Sequence, residues 1–540
     1  MDKKNKATLF LVLIISILYF SAFYFPNSIG SENPQMVAVF EPDEAAQLTP
    51  TLNMIAKSEN FKQSLIEFFF YDYYFYGFPF FALSAILLLP LRFLGELANF
   101  PLVMTILRQL ASVLPMIIAI GILVYLQTKF KSLYKTILLF LFLFAVPAVV
   151  RNNLWWHPDS LSFLFVALTF FFLERDDFKF SRDFYLAALF CGFATGTKWT
   201  GVFFFLTIPT YIIWALIEKK ISLRISVVSA IGFIGVMLGG ILISNPILIY
   251  ANVRTAYYDK FLWQGEAIST GYEILYARGI DQIINVIQQY YGYLIFYIIV
   301  LAGLLWGIIK NRSRLLNILL LSWVIPYLIY LTFFVAVKFQ YLLPVMIPFI
   351  SGVNNLFKII EEFWNKKKDS LLKMIAAVLI VLVFLGQFGS FISRDIEVYT
   401  DKLNRVETSE SLQFYEKFKA QVIPNLPTDR QYNIYKDVRL YLPDSDLWYS
   451  FAKFETLDYA YFDQYKPDII LLIQQRINDY TQPDALKNAI DPVQMQLSYQ
   501  FYTDANNEQL VGYTLVFRDE FGLAYIKNDL YESNFTDVKQ

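Results

Sequence analysis

FPFFALSAILLLPLRFL, residues 78–94, is apolar enough to cross a bilayer, yet it carries Pro79 and Pro90. Whether it crosses decides the sidedness of everything after it, because one added crossing inverts every later loop. Eleven other apolar runs are spanning candidates: 7–25, 102–127, 133–151, 160–173, 184–197, 199–217, 225–250, 292–309, 315–335, 341–358 and 371–393. If 78–94 stays on one side, the basic residues sort cleanly. One side then receives Lys3, Lys4 and Lys6; Lys129, Lys131 and Lys135; Arg175, Lys179 and Arg182; Lys219, Lys220 and Arg224; Lys310, Arg312 and Arg314; and Lys366, Lys367 and Lys368. If it crossed, five of these six clusters would face outward, against the preference of Lys and Arg for the cytoplasmic side. The segment is therefore expected to be an interfacial or re-entrant helix.

The composition agrees with a membrane protein. Of 540 residues, 56% are hydrophobic and 17% charged, with 53 Phe and 37 Tyr. The net charge of −1 points neither to nucleic acid nor to an acidic partner. Cys191, the one cysteine, forms no intramolecular disulfide, and a single histidine without cysteine neighbours excludes the usual zinc spacings, so a metal would need mostly oxygen ligands. The N-terminus has the basic start of a signal peptide, but its apolar core of about 19 residues is long for one and no small-x-small cleavage site follows. It reads as a retained helix.

These features predict an α-helical polytopic membrane protein with about eleven transmembrane helices and the N-terminus inside. Residues 1–393 form the membrane domain, with a first outer loop at 26–101 carrying interfacial helices and another outer loop at 251–291. After residue 393 the chain turns polar, with short β-like runs in PDIILLI and LVGYTLVF, so 394–540 is expected to be an extracytoplasmic mixed α/β domain. A multi-pass plasma-membrane protein, bacterial by default, is the expected localisation.

On the outer side the polar residues collect. The first outer loop holds EPDEAAQ, residues 41–47; later stretches are RNNLWWHPDS from Arg151, ATGTKWTG around Lys198, SNPILIYANVR, and KFQYLLPVMIP from Lys338. Carboxylates, one imidazole and a few cations at one membrane face suit group transfer from a charged, lipid-linked substrate: cations hold a phosphate and a carboxylate takes a proton from a hydroxyl. Each also has a plainer reading. Trp155 and Trp156 fit an interfacial aromatic belt better than a substrate site. His157 is equally an interfacial filler or a site residue. Lys198 either snorkels or functions. Arg108 needs an anion, either a buried carboxylate or a ligand. EPDEAAQ reads equally as the solvated start of a helix at Pro42 or Asp43, favoured by the helix dipole; Glu41 is expected to be solvated.

The order and sidedness of these motifs resemble the GT-C membrane glycosyltransferases, in particular the protein O-mannosyltransferase and lipid A aminoarabinose-transferase group. An acidic pair in the first outer loop is matched by Asp43 and Glu44, an aspartate before an aromatic helix by HPDSLSFLF and Asp159, a T-K stretch by TGTKWTG and Lys198, and R-Y-L-L-P by FQYLLP, Tyr341–Pro344. Two departures stand out: YGFPF, Tyr76–Phe80, replaces a Lys-Pro or His-Pro-Pro, and Gln340 replaces the arginine. The resemblance implies sugar transfer from a polyprenyl-phosphate donor to a hydroxyl of a protein, lipid or glycan, with inversion. Asp43 would be the general base and Glu44 would orient the acceptor or the base. Lys198 would hold the phosphate, helped by Lys338 or Arg108, while Asp159 and His157 would line the sugar site beside Tyr341. No metal or other cofactor is implied. Two other classes fit less well: a transporter or flippase of a lipid-linked sugar, which predicts midplane charges and repeated halves, and a non-catalytic envelope scaffold.

Overall fold

The computed structural model describes residues 3–270, 278–365, 371–453, 457–489 and 492–534. Lys366, Lys367 and Lys368, assigned from sequence to the inner side, lie outside them, as does part of the 251–291 loop. The chain divides into two compact units. The first comprises Met1–Ser28, Thr49–Gln264 and Arg278–Lys402; the second comprises Ile29–Leu48, Gly265–Ala277 and Leu403–Gln540.

The first unit is helical. Among the described residues seven helices are long and apolar enough to cross a membrane, and eight if the pair Ile280–Tyr290 and Leu294–Ile309, bent by 89°, counts as one. This is a multi-pass membrane protein. The other runs expected to span are helical too, but shorter or more charged. Pro147 splits 133–151 into Leu133–Phe144 and Pro147–Asn152, since proline cannot continue the hydrogen-bond ladder. Helix Asp159–Asp176 has charges at both ends, and helix Arg182–Lys198 is 17 residues long. Helix Arg182–Lys198 lies against Leu223–Ser244 because glycine lets the backbones approach: a Cβ on Gly192 would sit 2.4 Å from the carbonyl oxygen of Met237.

FPFFALSAILLLPLRFL forms one helix, Phe78–Leu94, with proline in its first turn and Gly95 closing it at φ +78°. Phe78, Phe81, Ser84, Ala85, Leu88 and Leu91 recur at helical spacing on its buried side, while Ile86, Phe93 and Leu94 are exposed.

The second unit is built on a five-stranded mixed sheet. Its strands are β1 (Tyr432–Lys436), β2 (Trp448–Phe451), β3 (Ile469–Ile473), β4 (Tyr513–Arg518) and β5 (Gly522–Lys527), in the order β2-β1-β3-β5-β4. β1 pairs in parallel with β2 and β3; β5 runs antiparallel to β3 and β4. β3, IILLI, is buried on both faces, as an unbroken apolar run requires. Ile469 and Leu471 feed one apolar layer, Ile470 and Leu472 the other.

The first of these layers also contains Met36 and Val39. Part of the 26–101 loop, Ile29–Leu48, thus belongs with the C-terminal unit, because helix Pro34–Phe40 buries its apolar side there. At the other boundary, helix Leu371–Asn404 continues past residue 393 and the division falls after Lys402.

Candidate functional site

In the first unit, a helical hairpin brings the chemistry together. Helices Asp159–Asp176 and Arg182–Lys198 have 18 and 17 residues, so the first residue of one meets the last residue of the other. Asp176 holds the turn: its carboxylate accepts from the amides of Phe180 (2.9 Å) and Ser181 (2.8 Å) and from the hydroxyl of Tyr211 (2.7 Å). Asp159 and Lys198 consequently form an ion pair between Oδ1 and Nζ, with Asp159 buried and the Lys198 side chain 14% exposed. Trp199 follows in the left-handed region, φ +38°, and ends the helix.

The second carboxylate oxygen of Asp159 meets Nδ1 of His157. A carboxylate here can only accept, so Nδ1 carries the proton. Nε2 of His157 lies 2.8 Å from the hydroxyl of Tyr76. Lys198, Asp159, His157 and Tyr76 thus form one continuous polar chain, its middle members buried. The aromatic residues are arranged around it. The ring of Trp155 stacks on His157 at 4.2 Å and 1° between planes, and the Lys198 ammonium lies 5.3 Å from the ring centre of Tyr341 and 5.9 Å from that of Tyr76.

Tyr76 reaches this position because YGF is pinned to TGTK. The Gly77 amide donates to the Thr197 carbonyl (3.0 Å), and Asn245 spans the pair, accepting from the Phe78 amide (2.9 Å) and donating to the Gly196 carbonyl (2.9 Å). A Cβ on Gly77 would lie 1.5 Å from the Gly196 carbonyl oxygen, so only glycine permits the approach. Helix Phe78–Leu94 also supports the site from behind: the indole of Trp156 stacks on Phe80 at 5.2 Å and donates to Ser84 Oγ at 2.9 Å. Beside the pinned segment opens a cavity of about 290 Å³ lined by Tyr76, Thr197, Trp199, Tyr257, Phe261 and Arg254, among others.

Several expectations change. Trp156 is wholly buried against Phe80, and half-buried Trp155 lays one ring face on His157, so neither is a plain belt residue. Tyr76 was legible only as a departure from the related motif, and Arg151 only as a loop charge. Arg151 stacks between the rings of Tyr290 (5.3 Å) and Phe339 (5.1 Å) and donates to Tyr290 Oη at 3.0 Å. Arg108 is fully buried at the start of a π-helical turn, Arg108–Val113, and donates to the Asn27 carbonyl at 2.6 Å. Lys338 is half-buried at the N-cap of helix Phe339–Ser351.

Asp43 and Glu44 belong to the second unit. As the sequence suggests, they occupy the first turn of a helix, Pro42–Asn53, with proline leading it. Glu44 is fully buried and Asp43 half-buried. Glu41, expected to be solvated, instead pairs with Arg405 at 3.0 Å, and the same guanidinium donates to the Ile29 carbonyl. Among the described residues no group of three or more His, Cys, Asp or Glu side chains is placed to hold a metal.

No family model and no curated protein matches the sequence. Solved structures do resemble the fold. ArnT from Cupriavidus metallidurans bound to undecaprenyl phosphate superposes with a TM-score of 0.51 at 10% identity, over 96% of this chain and 97% of that one. The archaeal oligosaccharyltransferase AglB from Archaeoglobus fulgidus, in complex with an inhibitory peptide and a dolichol-phosphate, gives 0.52 at 13% identity, over 99% and 78%. The same oligosaccharyltransferase tethered to an acceptor peptide gives 0.52 at 12%, over 97% and 76%. At such identities the likeness is one of architecture, and it is the architecture expected from the motif order: the chain shares the fold of ArnT and of the archaeal oligosaccharyltransferase.

Proposed function

We propose that the protein transfers a sugar from a polyprenyl-phosphate donor to an acceptor hydroxyl at the outer membrane face. The observation that carries this reading is the polar chain Lys198–Asp159–His157–Tyr76, buried at Asp159 and His157 and framed by aromatic rings next to a cavity in a GT-C fold. Support also comes from the relatives in fold, whose structures hold undecaprenyl phosphate and dolichol-phosphate.

In the proposed reaction the acceptor oxygen attacks the anomeric carbon as the bond from that carbon to the phosphate oxygen breaks, inverting the configuration. Asp43 takes the hydroxyl proton and Glu44 orients the acceptor. The leaving polyprenyl phosphate keeps the bonding electrons, so it needs positive charge rather than a proton. Lys198 supplies that charge, with Arg151, Lys338 or Arg108 as further cations. Asp159 holds Lys198 in place and, with His157, faces the sugar hydroxyls; Trp155 and Tyr341 offer ring faces to the sugar. The acceptor class, by analogy with the peptide-bound oligosaccharyltransferase, includes protein.

Purified protein incubated with membrane extract and a panel of radiolabelled polyprenyl-phosphate sugars tests this. Label should leave the lipid for one donor, and Asp43→Asn should bind that donor without turning it over. If no donor loses label and Asp43→Asn behaves like the parent, the transferase reading is wrong.

A further inference from the structure

The span Phe339–Phe363 carries Tyr341, next to the Lys198 ammonium, near its start and Lys358 near its end. At 1.5 Å per residue these lie roughly 25 Å apart, about the thickness of the hydrocarbon core. Around Lys358 meet two basic clusters that the sequence places on the inner side and that the transfer reaction does not use, those of Lys135 and Arg312. Lys358 is half-buried, and its Nζ lies 3.3 Å from the hydroxyl of Ser313. Among the described residues no carboxylate lies within ion-pair distance of it.

The neighbouring cations are differently served. Lys135 pairs with Glu361, which also accepts from Tyr134, and Arg312 pairs with Glu362 at 3.5 Å. The charges of both Lys135 and Arg312 bear on Lys358. Among the described residues three cations thus converge on two carboxylates, in a setting where an uncompensated charge is expensive. Ser313 itself sits in the left-handed region, φ +51°, ahead of helix Arg314–Phe334 and gives that helix no side-chain cap. The surroundings mark headgroup depth: Arg312 lies over Trp306 at 5.3 Å and Arg314 over Trp214 at 4.7 Å, and aromatic rings of this kind gather at the membrane interface.

We propose that Lys358, Ser313, Lys135 and Arg312 bind the phosphodiester of an anionic phospholipid headgroup, on the membrane face opposite Lys198. The phosphate supplies the negative charge that Glu361 and Glu362 leave missing. Ser313 donates to one of its oxygens.

Full-length protein in detergent, supplied with phosphatidylglycerol, phosphatidylcholine or inorganic phosphate, provides the test through thermal unfolding and native mass spectrometry. Phosphatidylglycerol should raise Tm and remain bound, and the other two should do neither. Lys358→Ala should bind phosphatidylglycerol about fivefold more weakly, the effect of one basic residue at a membrane surface. Lys358→Arg should bind like the parent, and so should Lys220→Ala in another basic loop. Where Lys358→Ala fails to fold, Lys358→Gln, which keeps a hydrogen bond to Ser313, carries the same expectation. Equal stabilisation by phosphatidylcholine, saturation by inorganic phosphate alone, or unchanged binding in the Lys358 variants would each overturn the site.

Discussion

The hydroxyl of Tyr76 lies 2.8 Å from Nε2 of His157, joining a loop residue ahead of helix Phe78–Leu94 to the one histidine of the chain. Through this contact the Lys198–Asp159–His157 chain gains a fourth member at its outer end. Tyr76→Phe keeps the ring against His157 and removes only the hydrogen bond. A net hydrogen bond contributes about 1 kcal/mol, so transfer should slow roughly fivefold while the variant stays folded. Steady-state rates with the cognate donor, compared at equal Tm, check this.

Lys198→Met leaves Asp159 buried without its cation. Breaking a buried ion pair costs about 3–5 kcal/mol, so Tm should fall sharply and donor binding should be lost. Adding Asp159→Leu should restore much of the stability and none of the activity, since the carboxylate no longer needs a partner. Thermal unfolding alongside a donor-binding assay separates the two effects.

Gly77→Ala would force a Cβ onto the Gly196 carbonyl oxygen, 1.5 Å away in the present backbone. The two segments must part, which moves Tyr76 from His157. A loss of about 1–3 kcal/mol is expected, with activity falling further than in Tyr76→Phe. The comparison of the two variants in one activity assay is the measurement; a fully active Gly77→Ala would contradict the pinning.

In the sheet domain, burial pushes the Lys436 ammonium down to about 8 from its ordinary 10.5, while Asp437 and Asp444 pull the other way. Between those two values the unfolded chain binds more protons than the folded one, so stability should rise with pH across that window. Below it both states are protonated and the penalty is constant. Lys436→Met should flatten the rise and stabilise the domain near neutral pH. Hydrogen exchange of the β1 amides in the full-length protein, followed from pH 7 to pH 10, reads the slope.

Both oxygens of Asp159 are engaged, one by Lys198 and one by His157, which leaves the carboxylate poorly placed to take up a divalent ion. Sugar transfer should therefore proceed unchanged in the presence of EDTA. A loss of turnover on chelation, restored by one divalent metal, would place a cation in the mechanism.

What the sequence determined by itself was the membrane class, the acidic start of helix Pro42–Asn53 and the order of the polar stretches. Those follow from local properties, namely hydropathy over about 20 residues, charge between apolar runs and proline at a first helical position. Tertiary structure decided the rest. It set Tyr76 against His157, turned Trp155 and Trp156 from membrane-belt candidates into packing for the imidazole and for Phe80, and gave Glu41 to Arg405. It also moved Ile29–Leu48 into the C-terminal unit. The reason is geometric. Asp159 meets Lys198 because two helices of nearly equal length fold back at Asp176, and Tyr76 joins them because glycine at 77 allows two backbones to touch. Neither helix pairing nor backbone approach is written in the residues that finally make contact.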